Sequence, residues 1–414
     1  MYDLLIQNGK IVDGSGGDCF MTNIAIRNEE IVEVGDCLGA EATMTIDAAG
    51  LVVAPGFIDH HSHSDFSLMG PHRFDNKVEQ GITTEIVGQC GATLAPIRSE
   101  DLVKAAAVFG FAEDQVAVFA RRLGTFSDYV DFLETVSLGD NWAKLDQVLE
   151  LIRTAQKRGL KVRADMYPYL AGSTGLIDAI PNGFAAEGLE KLVENLKDTN
   201  FRETVWRELQ TGTGFENLIE YCGFEGIKIF GAAEASKDLI GKSIAEIAEE
   251  RSTDPFDTVC DIIVENNGGV RAGYFMREEA QPAIIIAEPF VMGGTDGSIE
   301  SDILPGGHPR SIGAFPQMIR KYVREQAVVS IEEAVHKFSW MPADMAGLKN
   351  KGLIREGYDA DIAIFDAETL TDHADFGDPE AKNEGMKYVI VNGVIAVEND
   401  RFTGRHAGKV LRRR

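Results

Sequence analysis

The chain has 414 residues, 44% of them hydrophobic, enough for one large α/β domain with a smaller partner. Its formal net charge of -26 gives an acidic surface that repels nucleic-acid phosphates and anionic lipid, so neither is an expected partner; Arg412, Arg413 and Arg414 are too few to reverse this. Cys19, Cys37, Cys90, Cys222 and Cys260 show no paired spacing, no stretch approaches the ~18 apolar residues of a membrane helix, and no leader-like pattern opens the sequence, which together predict a cytoplasmic protein without a disulfide framework.

The chain begins with β patterning. Residues 3–7 and 10–12 flank Asn8-Gly9, a hairpin signal, and residues 23–26 and 30–34 suggest a second strand pair. Residues 51–59 form an almost uniformly apolar run, as expected of a strand buried on both faces, and residues 83–88 give a second strand. Helical periodicity follows, clearest at 126–133 and 145–152. Residues 160–166 and 287–293 read as further strands. Between them, residues 170–285 are mixed and mostly helical, with short strand candidates such as 227–230, and resemble a lid more than barrel repeats. The far end returns to strands at 360–365, 388–391 and 394–397, the last two flanking Asn392-Gly393. Matching ends predict a small β-sandwich built from residues 1–50 and 346–414, with a catalytic domain at 51–345 inserted between them.

The strongest chemical signal is Asp59-His60-His61-Ser62-His63 at the end of a buried strand. Alternate residues of an extended chain point to one side, so His61 and His63 can address one ion, and an imidazole pair suits zinc. The plainer alternative is a polar surface turn. Cys90, taken alone, reads as a small buried hydrophobe, and Asp296 in Gly293-Gly294-Thr295-Asp296-Gly297-Ser298 as an ordinary Asp-Gly turn. Tyr167 and Tyr169 fit either a pocket wall or a core.

Pro55-Gly56-Phe57-Ile58-Asp59 with His61-Ser62-His63 resembles the first-strand metal motif of the metal-dependent amidohydrolases. Residues 79–96, with Gly88-Gln89-Cys90-Gly91, resemble the second strand of the D-aminoacylase family, the N-acyl-D-amino-acid deacylases. The resemblance spans residues 2–411 and implies a TIM-like (β/α) barrel plus the β-sandwich. It implies a Zn2+ site with His61, His63, Cys90 and Asp296 as ligands, and Asp296 as the base that takes the proton of the attacking water. It also implies a substrate pocket lined by Tyr167, Tyr169 and Ser173, and an N-acyl-D-amino acid as substrate.

The sequence departs from that pattern in one place. Its eight histidines leave none between His72 and His308, where the family has two further zinc ligands on its fifth and sixth strands. The expected strands three to six, with a substrate-carboxylate arginine, have no counterpart, and the join falls near Ser137, Leu138 and Gly139. An eight-stranded barrel needs about 250 residues, and only about four good barrel strands are found. The expectation is therefore an incomplete barrel with open edges that favour homo-oligomers. Two alternatives stay open. One is a cyclic-amide hydrolase of the hydantoinase or dihydroorotase kind, which Cys90 disfavours because those enzymes more often carry a carboxylated lysine there. The other is a catalytically inactive, truncated amidohydrolase.

Overall fold

A computed structural model describes residues 1–37, 41–67, 72–73, 75–89, 145–212, 215–298, 300–301 and 307–411. Both ends of the chain build one nine-stranded sheet. From one edge, its order is Arg401–Phe402, Val394–Glu398, Met386–Val391, Ile362–Phe365, Val52–Pro55, Tyr2–Ile11, Phe20–Arg27 and Glu30–Gly35, with Ala42–Asp47 paired to Tyr2–Ile11. Its two faces enter different cores. Val53, Ile362 and Ile364 pack with Ile6, Ile24 and Ile390, whereas Val52, Ala54, Ala363 and Phe365 pack towards the helices. Period-two alternation between two buried faces explains why these strands read as continuous apolar runs.

Two identical dipeptides behave differently. Asn392 (φ 47°) and Gly393 (φ 78°) turn Met386–Val391 into Val394–Glu398, the expected hairpin with positive φ at both turn positions. The hairpin expected at Asn8-Gly9 is absent: Tyr2–Ile11 is a single strand. Its register against Phe20–Arg27 runs from Ile6↔Ile24 to Gly9↔Thr22, so one extra residue forms a β-bulge with Asn8 at φ 58°. The continuous partner strand holds the chain straight where a dipeptide alone would reverse it.

The run 51–59 is also two strands rather than one. Val52–Pro55 belongs to the terminal sheet, while Phe57–Asp59 (β1) pairs in parallel with Ile82–Glu85 (β2). The chain changes sheets at Gly56, where an added Cβ would lie 2.3 Å from the Thr83 side chain. Ala164–Met166 (β3) pairs in parallel with Val291–Gly293 (β4). Residues 287–293 are thus not one strand: the helix Gln281–Ala287 ends first, and Glu288-Pro289 turns the chain. The two parallel pairs meet beyond their carboxyl ends. Ser62 bridges Gly297 in parallel, Asp296 N donates to His61 O at 2.8 Å, and His63 N donates to Gly297 O at 2.8 Å. The order is β2-β1-β4-β3, and every loop at that rim faces the same side, the side on which (β/α) barrels carry their chemistry.

Residues 171–276 form a separate body. Its three-stranded antiparallel sheet, Ala171–Gly175, Arg271–Phe275 and Ile227–Gly231, is covered by helices that include Thr199–Thr211, Ile244–Arg251 and Pro255–Glu265. Leu176, Ile229, Val259 and Tyr274 sit in a core distinct from the barrel's. Its helices start on strong caps: Asp198 accepts from Asn200 N and Phe201 N, and Ser243 with Glu246 makes a capping box. The expected helix at 145–152 is seen as Leu145–Lys157. The helix expected at 126–133 and the join at 137–139 lie outside the described residues. Among those residues, no helix is long and apolar enough to cross a membrane.

Candidate metal centre

The rim of β1 and β4 brings three sequence-predicted residues together. His61 and His63 leave β1 on the same side, and the intervening Ser62 turns inward, fully buried, to donate to Glu85 Oε1 at 2.7 Å. Asp296 follows β4 in the left-handed region at φ 49°, a conformation open to aspartate and held here by its N–H bond to His61 O. His63 Nε2 lies 3.0 Å and His61 Nε2 3.4 Å from Asp296 Oδ1. One donor atom from each of the three falls within 4.8 Å of the others. Donors bound to a tetrahedral zinc at about 2.0–2.1 Å stand roughly 3.3 Å apart, so this nitrogen and oxygen set fits such an ion.

The surroundings fix which atoms face the centre. His61 Nδ1 lies 2.8 Å from Asp165 Oδ1 on β3, so the Nδ1 proton is held by the carboxylate and the Nε2 lone pair is directed at Asp296. Burial works to raise the Asp165 carboxyl, but the imidazoles of His60 and His61 overcome it and hold the group well below the usual carboxylate range. Asp296 is similar: burial raises it, while the charge of Arg310 and the His63 imidazole outweigh burial and keep it ionised. Arg310 Nη1 donates to Asp296 Oδ2 at 2.7 Å, leaving Oδ1 to the histidines.

Beneath the rim lies a buried ionic knot. Lys77, 3% exposed, donates to Asp59 Oδ2 at 2.8 Å and Thr295 Oγ1 at 2.6 Å, and sits 3.3 Å from Glu85 Oε1. Asp59, 0% exposed, also accepts from Thr295 N at 2.9 Å. Burial lowers the Lys77 pKa, but Asp59 and Glu85 more than reverse that and the ammonium stays charged. This knot ties the ends of β1, β2 and β4 together, which fixes the spacing of the ligand loops.

A cavity of about 820 Å³ opens from Asp296 and Arg310 towards the body at 171–276, with Tyr167 and Ser173 in its wall. The Tyr167 ring carries the guanidinium groups of Arg277 and Arg310 at 4.2 and 4.8 Å from its centroid. His308 anchors Arg310 in turn: its Nδ1 accepts from Arg310 N at 3.0 Å and its Nε2 donates to Ala171 O at 2.9 Å.

The sequence profile of the amidohydrolase family matches residues 245–397. A D-aminoacylase from Alcaligenes xylosoxydans xylosoxydans is 27% identical, with 100% of this chain and 98% of the relative covered. Residues 245–397, which include β4, Asp296 and Arg310, thus carry the pattern of that family. An N-acyl-D-glutamate deacylase from the same organism is also 27% identical, covering 99% of this chain and 96% of its own. The structure of an N-acyl-D-glutamate deacylase from Bordetella bronchiseptica, solved with zinc and a phosphonate inhibitor, superposes with a TM-score of 0.71 at 21% identity, covering 98% of each chain. The D-aminoacylase alignment runs over 496 residues against the 414 here, so that relative carries sequence with no counterpart in this chain.

Of the residues singled out in the sequence, His61, His63 and Asp296 converge, and Tyr167 and Ser173 line the cavity. Tyr169 is outside the cavity wall. It is buried against His308 and Phe376, with its hydroxyl donating to Pro309 O at 3.3 Å, which makes it a core aromatic. Cys90 lies outside the described residues. Sequence reasoning assigned no role to Asp165, Lys77 or Arg310. A carboxylate inside a short buried strand was the available signal for Asp165; Lys77 and Arg310 sit in polar stretches that look like solvated surface.

Proposed function

We propose that the chain is a zinc-dependent hydrolase that cleaves the amide bond of N-acyl-D-amino acids, releasing a carboxylic acid and a free D-amino acid. The observation that carries this reading is the convergence of His61, His63 and Asp296 at the inner end of a cavity that also presents a buried guanidinium, Arg310. Full-length similarity to two deacylases of D-amino-acid derivatives supports the substrate class, and the zinc in the Bordetella relative supports the ion. Bound at this donor set, zinc would supply Lewis acidity that activates water near neutral pH and polarises the acyl carbonyl. Asp296, ionised, takes the proton of the attacking water and then returns it to the departing amide nitrogen. Arg310 holds the substrate carboxylate through N–H groups not used on Asp296, a natural task for a planar guanidinium. The Ser173 hydroxyl, buried in the cavity wall and without a hydrogen-bond partner among the described residues, is a ready contact for the same substrate. Cys90 is retained as a fourth ligand in this proposal, on the family resemblance alone. The four described cysteines are free, which supports a reducing, cytoplasmic setting.

A second reading, zinc and ligand binding without turnover, draws on one observation: no histidine stands between His72 and His308. The deciding measurement is zinc content together with acetate release from N-acetyl-D-methionine and its L enantiomer. Stoichiometric zinc with D-selective turnover that Asp296→Asn abolishes supports the hydrolase. Zinc without turnover of any amide supports the second reading. No metal under zinc-replete conditions removes both.

A further inference from the structure

We infer that the cavity selects substrates whose only anion is the carboxylate held by Arg310: N-acyl-D-amino acids with apolar or cationic side chains are accepted, and those with acidic side chains are rejected. This rests on the deacylase reading and names the substrate class within it.

Overall similarity leaves that class open, because the chain is 27% identical both to a D-aminoacylase and to an N-acyl-D-glutamate deacylase. The charge of the cavity wall separates the two cases. At the inner end stand Asp296 and Arg310; among the described residues, Arg310 is the one cationic side chain in the wall. The outer wall combines apolar surface, including Phe184, Phe215 and Met276, with three carboxylates, Asp178, Glu208 and Glu216. These carboxylates come from separate elements of the body at 171–276: the turn Leu176–Ala179, the helix Thr199–Thr211 and the segment just before Leu218–Cys222. Asp178 is fixed in place, accepting from Gly175 N at 3.2 Å and from the Thr174 hydroxyl.

The cavity is therefore polarised, with a cation deep inside and anions along the way out. A substrate anchored by one carboxylate at Arg310 projects its acyl group and its side chain into the remaining space. Among the described wall residues, a second carboxylate there meets three like charges and no cation beyond Arg310, whereas an ammonium is attracted and an alkyl or thioether chain finds the apolar surface. Each exposed charge acts through water at several ångströms, so individual effects are small. Summed over three groups, and reversed in sign between lysine and glutamate, they amount to roughly tenfold or more in affinity at low salt.

The test is calorimetric binding of N-acetyl-D-lysine, N-acetyl-D-methionine and N-acetyl-D-glutamate to the full zinc-supplemented chain. It is run at low and high salt, on the natural protein and on the Glu208→Gln/Glu216→Gln variant, whose two substitutions are at exposed positions. Where turnover occurs, kcat/KM supplies the same ratios. Expected is a Kd for the glutamate derivative about tenfold or more above that for the lysine derivative, with the gap narrowing at high salt and in the double variant. Equal or tighter binding of the glutamate derivative, or a gap indifferent to both salt and variant, overturns the inference and leaves the deacylase reading standing. Failure of all three compounds to bind overturns both.

Discussion

Asp165 on β3 accepts the Nδ1 proton of His61 across 2.8 Å, although 104 residues separate them in the chain. This contact sets the tautomer of the histidine and points its Nε2 at the centre. Asp165→Asn keeps an oxygen acceptor of the same size but removes the charge that makes the imidazole a stronger ligand. The expected outcome is zinc affinity about 10–100-fold weaker, the usual cost of losing such an outer carboxylate. Competition with a chromogenic chelator measures it, and unchanged affinity would show that Asp165 has no hold on the site.

The acid dependence of stability is readable at Asp344, which accepts charge-assisted bonds from Arg163 at 2.8 Å and Lys161 at 3.0 Å. Burial is the largest single influence and pushes its carboxyl up, but Lys161 and Arg163 together outweigh it, so the pKa falls below its ordinary value. A depressed carboxylate contributes stability above the unfolded-state value near ~3.9 and loses it as pH falls through the folded-state value. Asp344→Asn is expected to cost about 0.5–1 kcal/mol at pH 7, in keeping with a partly exposed ion pair. The difference from the natural protein should vanish at the most acidic pH where both still fold. Urea titrations at several pH values test this; a constant difference down to that limit would refute the assignment.

Much of the centre was legible because its signals are local. Two histidines at a spacing of two after an apolar strand share a face wherever the strand lies, and Asp296 sits in a turn that follows another buried strand. The partners of these residues were not legible. Lys77 reaches Asp59 across 18 positions and Thr295 across 218, and nothing in a short helical stretch announces that its lysine will be buried. The fold shows the same division. The apolar run 51–59 pointed to buried β-structure but not to its division between two sheets at Gly56, and whether Asn-Gly reverses the chain at 8–9 or 392–393 depends on the partner strand rather than on the dipeptide.

The sheet change at Gly56 is a sharp test of that tertiary control. Gly56 has no side chain because Thr83 of β2 occupies the space, and its N–H donates to Asp361 O at 2.8 Å to hold the terminal sheet against the barrel. In Gly56→Ala the new methyl overlaps Thr83, so the strands must separate. A loss of about 1–3 kcal/mol is expected from overpacking. Gly56→Ala/Thr83→Ser, which removes the Thr83 methyl, should recover part of it. Thermal unfolding of the three proteins measures the effect, and a fully stable Gly56→Ala would mean the backbone relaxes freely at this crossing.

Lys77 offers the strongest prediction for the site itself. Its buried ammonium pairs with the fully buried Asp59 and the partly exposed Glu85, and it donates to Thr295, the residue just before Asp296. Lys77→Met preserves the bulk of the side chain but strands the Asp59 carboxylate without its cation. Breaking a buried pair in this way costs about 3–5 kcal/mol, far more than a surface lysine. The double substitution Lys77→Met/Asp59→Asn removes the stranded charge and is expected to be more stable than Lys77→Met alone. Because the knot spaces the loops of His61, His63 and Asp296, the double variant should still bind zinc more weakly than the natural protein even after its stability is partly restored. Recovered stability with undiminished zinc affinity would confine Lys77 to folding and remove it from the organisation of the centre.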